Sequence, residues 1–159
     1  MHDFEVIETH AQPMLYVTRQ SSMDSEEIAK VMEDAFGAIG RFIGENQVSP
    51  AGPPLAIYSD WDGAEMTVKV GFPVSSDDAG KAGGDIHAGE TPAGRCVKAI
   101  HHGAYDHLRE TYAKLEQHFK TAHTGMPALT WEVYPNDPDT TPEDDLITEI
   151  YMPLPNGQP

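Results

Sequence analysis

Basic residues are scarce in this sequence: 10 Lys plus Arg stand against 26 Asp plus Glu, a formal net charge of −16. Such a chain repels phosphate backbones and acidic membranes, so direct DNA binding and membrane binding are not expected, while a cationic partner would be drawn in. Cysteine is nearly missing. Cys96 alone cannot close an intrachain disulfide, which suits a reducing cytosol. No run approaches the roughly 20 apolar residues of a membrane span, and the opening MHDFEVIETH has neither a basic start nor an apolar stretch. The expectation is a cytoplasmic protein. Glycines are present, but not in a phosphate loop followed by Lys-Ser/Thr, so no nucleotide site is expected. Nor is a metal or any other cofactor: His107 and His118 are about 16 Å apart on one predicted helix, and His101 and His102 point to opposite faces of a strand. Cys96, without a Cys-His-Asn pattern, reads as a packed thiol, and His102 as a hydrogen-bonding residue at a helix start.

What is present is an order of elements that occurs twice. FEVIET (4–9) reads as a short leading strand and MLYVTRQ (14–20) as a second. From Asp24, Ile28, Val31, Met32, Ala35, Ile39 and Phe42 recur at helical spacing, with Ser22 or Asp24 as the cap. LAIYS (55–59) and AEMTVKVGFPV (64–74) are strands joined by DWDG, a hairpin signal. Residues 75–93, rich in Gly, Asp and Ala, read as a mobile connecting loop. Then GRCVKAIHH (94–102) is a strand, Tyr105 to about His123 a helix with Leu108, Tyr112, Leu115 and Phe119 inward, and LTWEVYP (129–135) and DLITEIYMPL (145–154) are strands.

An offset of 80 residues lays one half on the other. Tyr16 falls on Cys96, Ile28, Met32, Ala35 and Ile39 on Leu108, Tyr112, Leu115 and Phe119, and Pro73 on Pro153. In the third element the offset is 76, setting Tyr58 on Tyr134. The expected class is therefore α+β. Over residues 1–159 it is one domain of two β-α-β-β units (14–74 and 94–154, linker 75–92). A pseudo-twofold would make a curved, mostly antiparallel sheet with two helices on one face and a ligand groove on the other.

Two Glu-x-Tyr units, Glu132-Val133-Tyr134 and Glu149-Ile150-Tyr151, lie on neighbouring predicted strands. If register allows, both project into the groove. A carboxylate there is costly unless it meets a cation or holds a proton at a raised pKa. Aromatic rings beside it would stack on a flat ligand or cradle a cation. Glu149 facing water on an open sheet face is the plainer alternative.

PPLAIYSDWDG, HHGAYDHLRETYAKL and WEVYPNDPDTTPEDDLITEIYMPL resemble the GyrI-like small-molecule-binding family, the effector-binding domain of AraC-type and BmrR-type regulators. The resemblance runs from about Met14 to Leu154. It implies a duplicated β-α-β-β fold that captures lipophilic, often cationic compounds, with Glu132 and Glu149 as the acidic floor and Tyr134 and Tyr151 as walls. Tyr58, Tyr16 and Trp131 are further ligand-binding candidates. By the same resemblance, an alternative is a hydrolase of electrophilic, cyclopropane-bearing genotoxins using Glu132 or Glu149 to direct water. A third reading is an acidic protein–protein regulator of the gyrase-inhibitor kind, with a protein partner. No helix-turn-helix is expected outside the two repeats, so the chain reads as a stand-alone sensor, scavenger or enzyme.

Overall fold

The computed structural model describes residues 4–22, 24–59, 64–103, 107–121, 129–136 and 140–154. The DWDG turn (60–63) and the helix start at Tyr105 lie outside them. The element order is β1 (Phe4–Thr9), β2 (Pro13–Ser22), α1 (Ser25–Glu45), β3 (Leu55–Ser59), β4 (Glu65–Pro73), α2 (Ser76–Ala79), β5 (His87–Glu90), β6 (Gly94–His102), α3 (Leu108–Thr121), β7 (Leu129–Val133) and β8 (Ile147–Pro153). The strands form one antiparallel sheet in the order β1-β6-β8-β7-β3-β4-β2-β5.

That order reads the same from both ends. The first repeat contributes β3-β4-β2 and the second β7-β8-β6, and the two meet at β3 and β7. Ala56 and Glu132, counterparts at the 76-residue offset, pair directly across this seam. The pseudo-twofold therefore passes through that pair. In the first strands the offset is 82 rather than 80: Pro73 faces Met14 while Pro153 faces Cys96. The counterpart of Tyr16 is thus Lys98, not Cys96. An even shift preserves which face each side chain occupies, which is why the core alignment survives it.

Residues 75–93 are more than a plain loop. They hold α2, started by the Ser75 hydroxyl accepting from the Asp78 N–H, and β5, which pairs with β2. β5 matches β1, since each precedes its own repeat and pairs with the first strand of the other repeat. The repeat is thus β-β-α-β-β with its leading strands exchanged. β5 is held mainly by backbone bonds, so HAGE shows none of the apolar alternation that marks a half-buried strand.

α1 and α3 cover one face of the sheet. Ala35 and Ile39 of α1 are fully buried with Leu15, Val17, Val68 and Val70, while Leu115 and Phe119 of α3 are buried with Val97, Ala99, Ile150 and Met152. Each Val, Leu, Ile, Met or Phe among them, removed from water, contributes about 1.5–3 kcal/mol. The start of α1 is secured differently from expectation. Asp24 is the cap position but makes no side-chain cap bond, and the Glu27 carboxylate instead accepts from the Ser22 N–H.

The helix-free face is not bare either. Met14, Leu55, Ile57, Cys96, Trp131 and Tyr151 are buried there, with Ile7 of β1 and Tyr16 of β2 packed against them. β1 and β2 lie near opposite ends of the sheet order. A flat sheet would leave this face open, so its burial follows from the curl that brings the two wings round a common interior. Among the described residues no helix is long and apolar enough to cross a membrane.

Candidate functional site

Register separates the two Glu-x-Tyr units. Glu132 pairs with Ile150, whereas Glu149 pairs with Val133 and Tyr151 with Trp131. Paired residues share a face. The units therefore point to opposite sides of the sheet, and the expectation that both carboxylates enter one groove fails. Glu132, Tyr134 and Tyr58 come together beneath the helices. Glu149, Tyr151, Trp131 and Tyr16 occupy the concave, helix-free face.

Beneath the helices one row of paired residues crosses the sheet: Val17, Val70, Ala56, Glu132, Ile150 and Ala99. Glu132 is its only charge, and it is 4% exposed. Three phenols cage it. Tyr134 donates to Oε1 at 2.5 Å, Tyr58 donates to the same oxygen at 3.4 Å, and Tyr112 of α3 donates to Oε2. The Tyr58 and Tyr134 hydroxyls are themselves 3.3 Å apart. On the α1 side, Met32 Sδ lies 3.7 Å from the Tyr58 hydroxyl oxygen, and Phe36 meets the Tyr134 ring edge-on at 5.8 Å. α1 packs chiefly over β2 and β4, and α3 over β6. The cluster thus lies at the seam between the two helices, rimmed by half-buried Met32, Phe36 and Tyr112.

Burial pushes the Glu132 carboxyl above its ordinary range, against the pull of the Tyr112, Tyr134 and Tyr58 hydrogen bonds. Burial likewise holds Tyr58, Tyr112 and Tyr134 well above the usual phenol value, and the Glu132 charge adds to it. Next to this centre, His101 Nδ1 and Thr111 Oγ1 are 2.7 Å apart, tying β6 to α3. His101 is thus tied to the helix, while His102 is exposed and the helix start at 104–106, where it was expected to bond, lies outside the described residues. Thr148, paired with His101, is fully buried, and its hydroxyl has no hydrogen-bond partner among the described residues.

The concave face is built differently. Trp131 and Tyr151 stack in parallel, with centroids 5.2 Å apart and planes within 6°. Tyr151 donates to Glu149 Oε1 at 2.8 Å, and the Lys98 ammonium lies 3.9 Å from Glu149 Oε2 and 5.8 Å from the Tyr151 ring centre. Glu149 is half-buried. Burial, followed by the Glu149 bond, raises the Tyr151 phenol. Cys96, wholly buried on this face, has its thiol pushed up to about 11 by desolvation, so it stays protonated and packed.

Tyr112, Met32, Phe36 and His101 were not among the residues marked for a site. Tyr112 alone carried a sequence signal, since an inward-facing phenol on a helix needs a buried acceptor.

Fold and cluster together define a class: a duplicated α+β domain with a caged carboxylate on its pseudo-twofold. The chain belongs to the GyrI-like family, for the profile of the GyrI-like small molecule binding domain matches residues 2–155. Among solved structures it is similar to the EcmrR C-terminal domain, 20% identical over 96% of this chain and 97% of that one, with a TM-score of 0.73. Against EcmrR in its DNA complex the TM-score is 0.75 at 21% identity, covering 96% of this chain. There the chain spans 57% of the EcmrR length. A hydrolase encoded by lin2189 from Listeria innocua is 19% identical over 94% of this chain and 90% of its own, with a TM-score of 0.58. SAV2435 bound to tetraphenylphosphonium is 10% identical over 97% and 94%, with a TM-score of 0.69. Likeness at these identities defines the fold alone. No curated protein sequence matches the chain.

Proposed function

We propose that the chain captures a lipophilic cationic or aromatic small molecule at the seam between α1 and α3. Glu132 is the counter-charge and Tyr58, Tyr112, Tyr134 and Phe36 are the walls. The observation that carries this reading is a fully buried carboxylate held by three phenols with no cationic side chain bonded to it among the described residues. Desolvating a carboxylate costs several kcal/mol in effective terms, and neutral donors recover only part of it. A cation stacked on the tyrosine faces would supply the missing charge and gain cation–π attraction, about 0.5–2 kcal/mol per ring. The Thr148 hydroxyl, buried and without a partner among the described residues, lies on the same face two residues along β8 from Ile150, which pairs with Glu132. The phosphonium complex of SAV2435 supports the ligand class by analogy of fold.

The hydrolase reading draws on the raised proton affinity of Glu132, which suits a general base. Binding is favoured over it because both carboxylate oxygens already accept from phenols, and those bonds favour the charged form and weaken its pull on a water proton. Thermal shift tests the proposal. At a ligand concentration of 100 Kd, tetraphenylphosphonium should raise Tm by about 5–10 °C. Neutral triphenylphosphine oxide should do markedly less. Equal shifts would remove Glu132 from the reading, and no shift with either compound would remove the site.

A further inference from the structure

In each repeat one polar side chain ties the first sheet strand to the helix above it, and it does so from the same position. Arg19 faces Val68 and His101 faces Thr148, so Arg19 and His101 are counterparts in β2 and β6. Arg19 Nε donates to Asp34 Oδ2 of α1 at 2.8 Å, and the Asp34 side chain is 67% exposed. His101 Nδ1 lies 2.7 Å from Thr111 Oγ1 of α3, and both residues are buried, at 3% and 0% exposure. The first tie is a solvated ion pair of the kind worth little. The second is sealed from water, where an unmade hydrogen bond is far more costly.

The two ties also end in different places. Met32 and Tyr112 are helix counterparts, and both rim the Glu132 cluster. Asp34 lies two residues past Met32, whereas Thr111 stands immediately before Tyr112. α3 rests on the sheet chiefly at β6, and β8 separates β6 from the β7 strand that carries Glu132. Tyr112 therefore reaches across roughly 10 Å of sheet to its acceptor. The rotation and height of α3 over β6 decide whether the hydroxyl meets Oε2. Leu115 and Phe119 bury the same face of the helix further along, but apolar contacts are non-directional. The His101–Thr111 bond is directional and sits one residue from the phenol.

We infer that His101 is a positioning residue for the Glu132 site: its bond to Thr111 fixes α3 so that Tyr112 donates to the carboxylate. The inference rests on the cation reading of Glu132 and adds the residue that governs the charge of that site. The Tyr112 bond draws the Glu132 carboxyl down against burial, so its loss leaves the proton held more firmly. The titratable groups around Glu132 are Tyr134 just past β7, Tyr58 of β3, Tyr112 of α3 and His101 of β6. β8 brings Ile150 and Thr148 to the same face, and α1 brings Met32 and Phe36. His101 also bears on Glu132 through its own charge, so position and charge need separate variants.

Carboxyl-carbon NMR of the full chain, with glutamate labelled at Cδ, reads the Glu132 titration, and Glu132→Gln identifies its signal. Tyr112→Phe should move the midpoint upward. Thr111→Val is isosteric and leaves His101 in place. It should also move the midpoint upward, yet add nothing in the Tyr112→Phe background. His101→Leu and His101→Asn repeat the comparison from the other partner. Both lose the imidazole charge, but the Asn amide stands where Nδ1 does and keeps the bond, so the midpoint should be higher in His101→Leu. Tetraphenylphosphonium affinity should fall on acidification at a higher pH in Thr111→Val than in wild type, since cation capture needs the carboxylate. A wild-type midpoint in Thr111→Val, or equal midpoints in His101→Leu and His101→Asn, would overturn the inference. So would a Thr111→Val shift that persists without the Tyr112 hydroxyl, which would assign the effect to charge. Absence of phosphonium binding in every protein would remove the cation reading, and the ligand-free titration would still decide the role of His101.

Discussion

Glu132-Val133-Tyr134 and Glu149-Ile150-Tyr151 are nearly the same tripeptide on neighbouring strands, yet they live in opposite environments. The first carboxylate is buried, caged by three phenols, and beneath two helices. The second is half-buried, shares one phenol with a lysine, and looks into the curl of the sheet. A one-residue difference in pairing produces the contrast, because side chains alternate along a strand. Among the described residues Glu132 is thus held by neutral phenols alone, while Glu149 has a lysine ammonium 3.9 Å away.

The largest expected effect tests the two halves rather than the two faces. Gly71 and Tyr151 are counterparts, but only the second has room for a side chain. Gly71→Ala should force the β2 and β4 backbones apart and cost about 3 kcal/mol or more by denaturant unfolding. A cost below 1 kcal/mol would mean that the asymmetry of the concave face has some other origin.

Next in size is the removal of one hydroxyl from each Glu-x-Tyr unit. Tyr134→Phe strips a buried donor from a buried carboxylate and should cost roughly 2–3 kcal/mol. Tyr151→Phe, beside a half-exposed carboxylate with a lysine at hand, should cost under about 1 kcal/mol. Similar costs in equilibrium unfolding would erase the distinction drawn between the faces.

Most of the fold was legible in the sequence because the signals were local or repeated. Apolar spacing marked α1 and α3, the Pro-terminated strands marked the duplication, and both survived a two-residue slip in the first strands. What escaped was non-local. β5 lacks an apolar alternation because it is an edge strand held by backbone pairing across the repeat boundary. The split of Glu132 from Glu149 depends on the β7–β8 register, which no single strand encodes. Tyr112 joins the cage only once α3 is laid over the sheet at β6, from where its hydroxyl reaches Glu132 of β7.

A pH titration of stability sharpens the contrast further. The Glu132 carboxyl is raised in the fold above the ordinary 4.5, so the folded state holds its proton longer than the unfolded chain does. Its contribution is full below about pH 4.5 and is lost as pH rises through the folded value. Relative to wild type, Glu132→Gln should lose less stability over that rise. A parallel dependence in the two proteins would contradict the raised proton affinity. The smallest effect belongs to the concave face: a double-mutant cycle on Lys98 and Glu149 should return about 0.2–1 kcal/mol, as partly solvated pairs do.

The most direct test is one set of binding titrations with tetraphenylphosphonium on wild type, Glu132→Gln and Glu149→Gln. If the caged carboxylate is the counter-charge, Glu132→Gln should weaken binding by about 30-fold or more, the cost of losing a desolvated charge partner. Glu149→Gln, on the other side of the sheet, should stay within about twofold of wild type, since distant sites do not couple. The reverse pattern, with Glu149→Gln crippling and Glu132→Gln harmless, would place the ligand on the concave face and contradict the account.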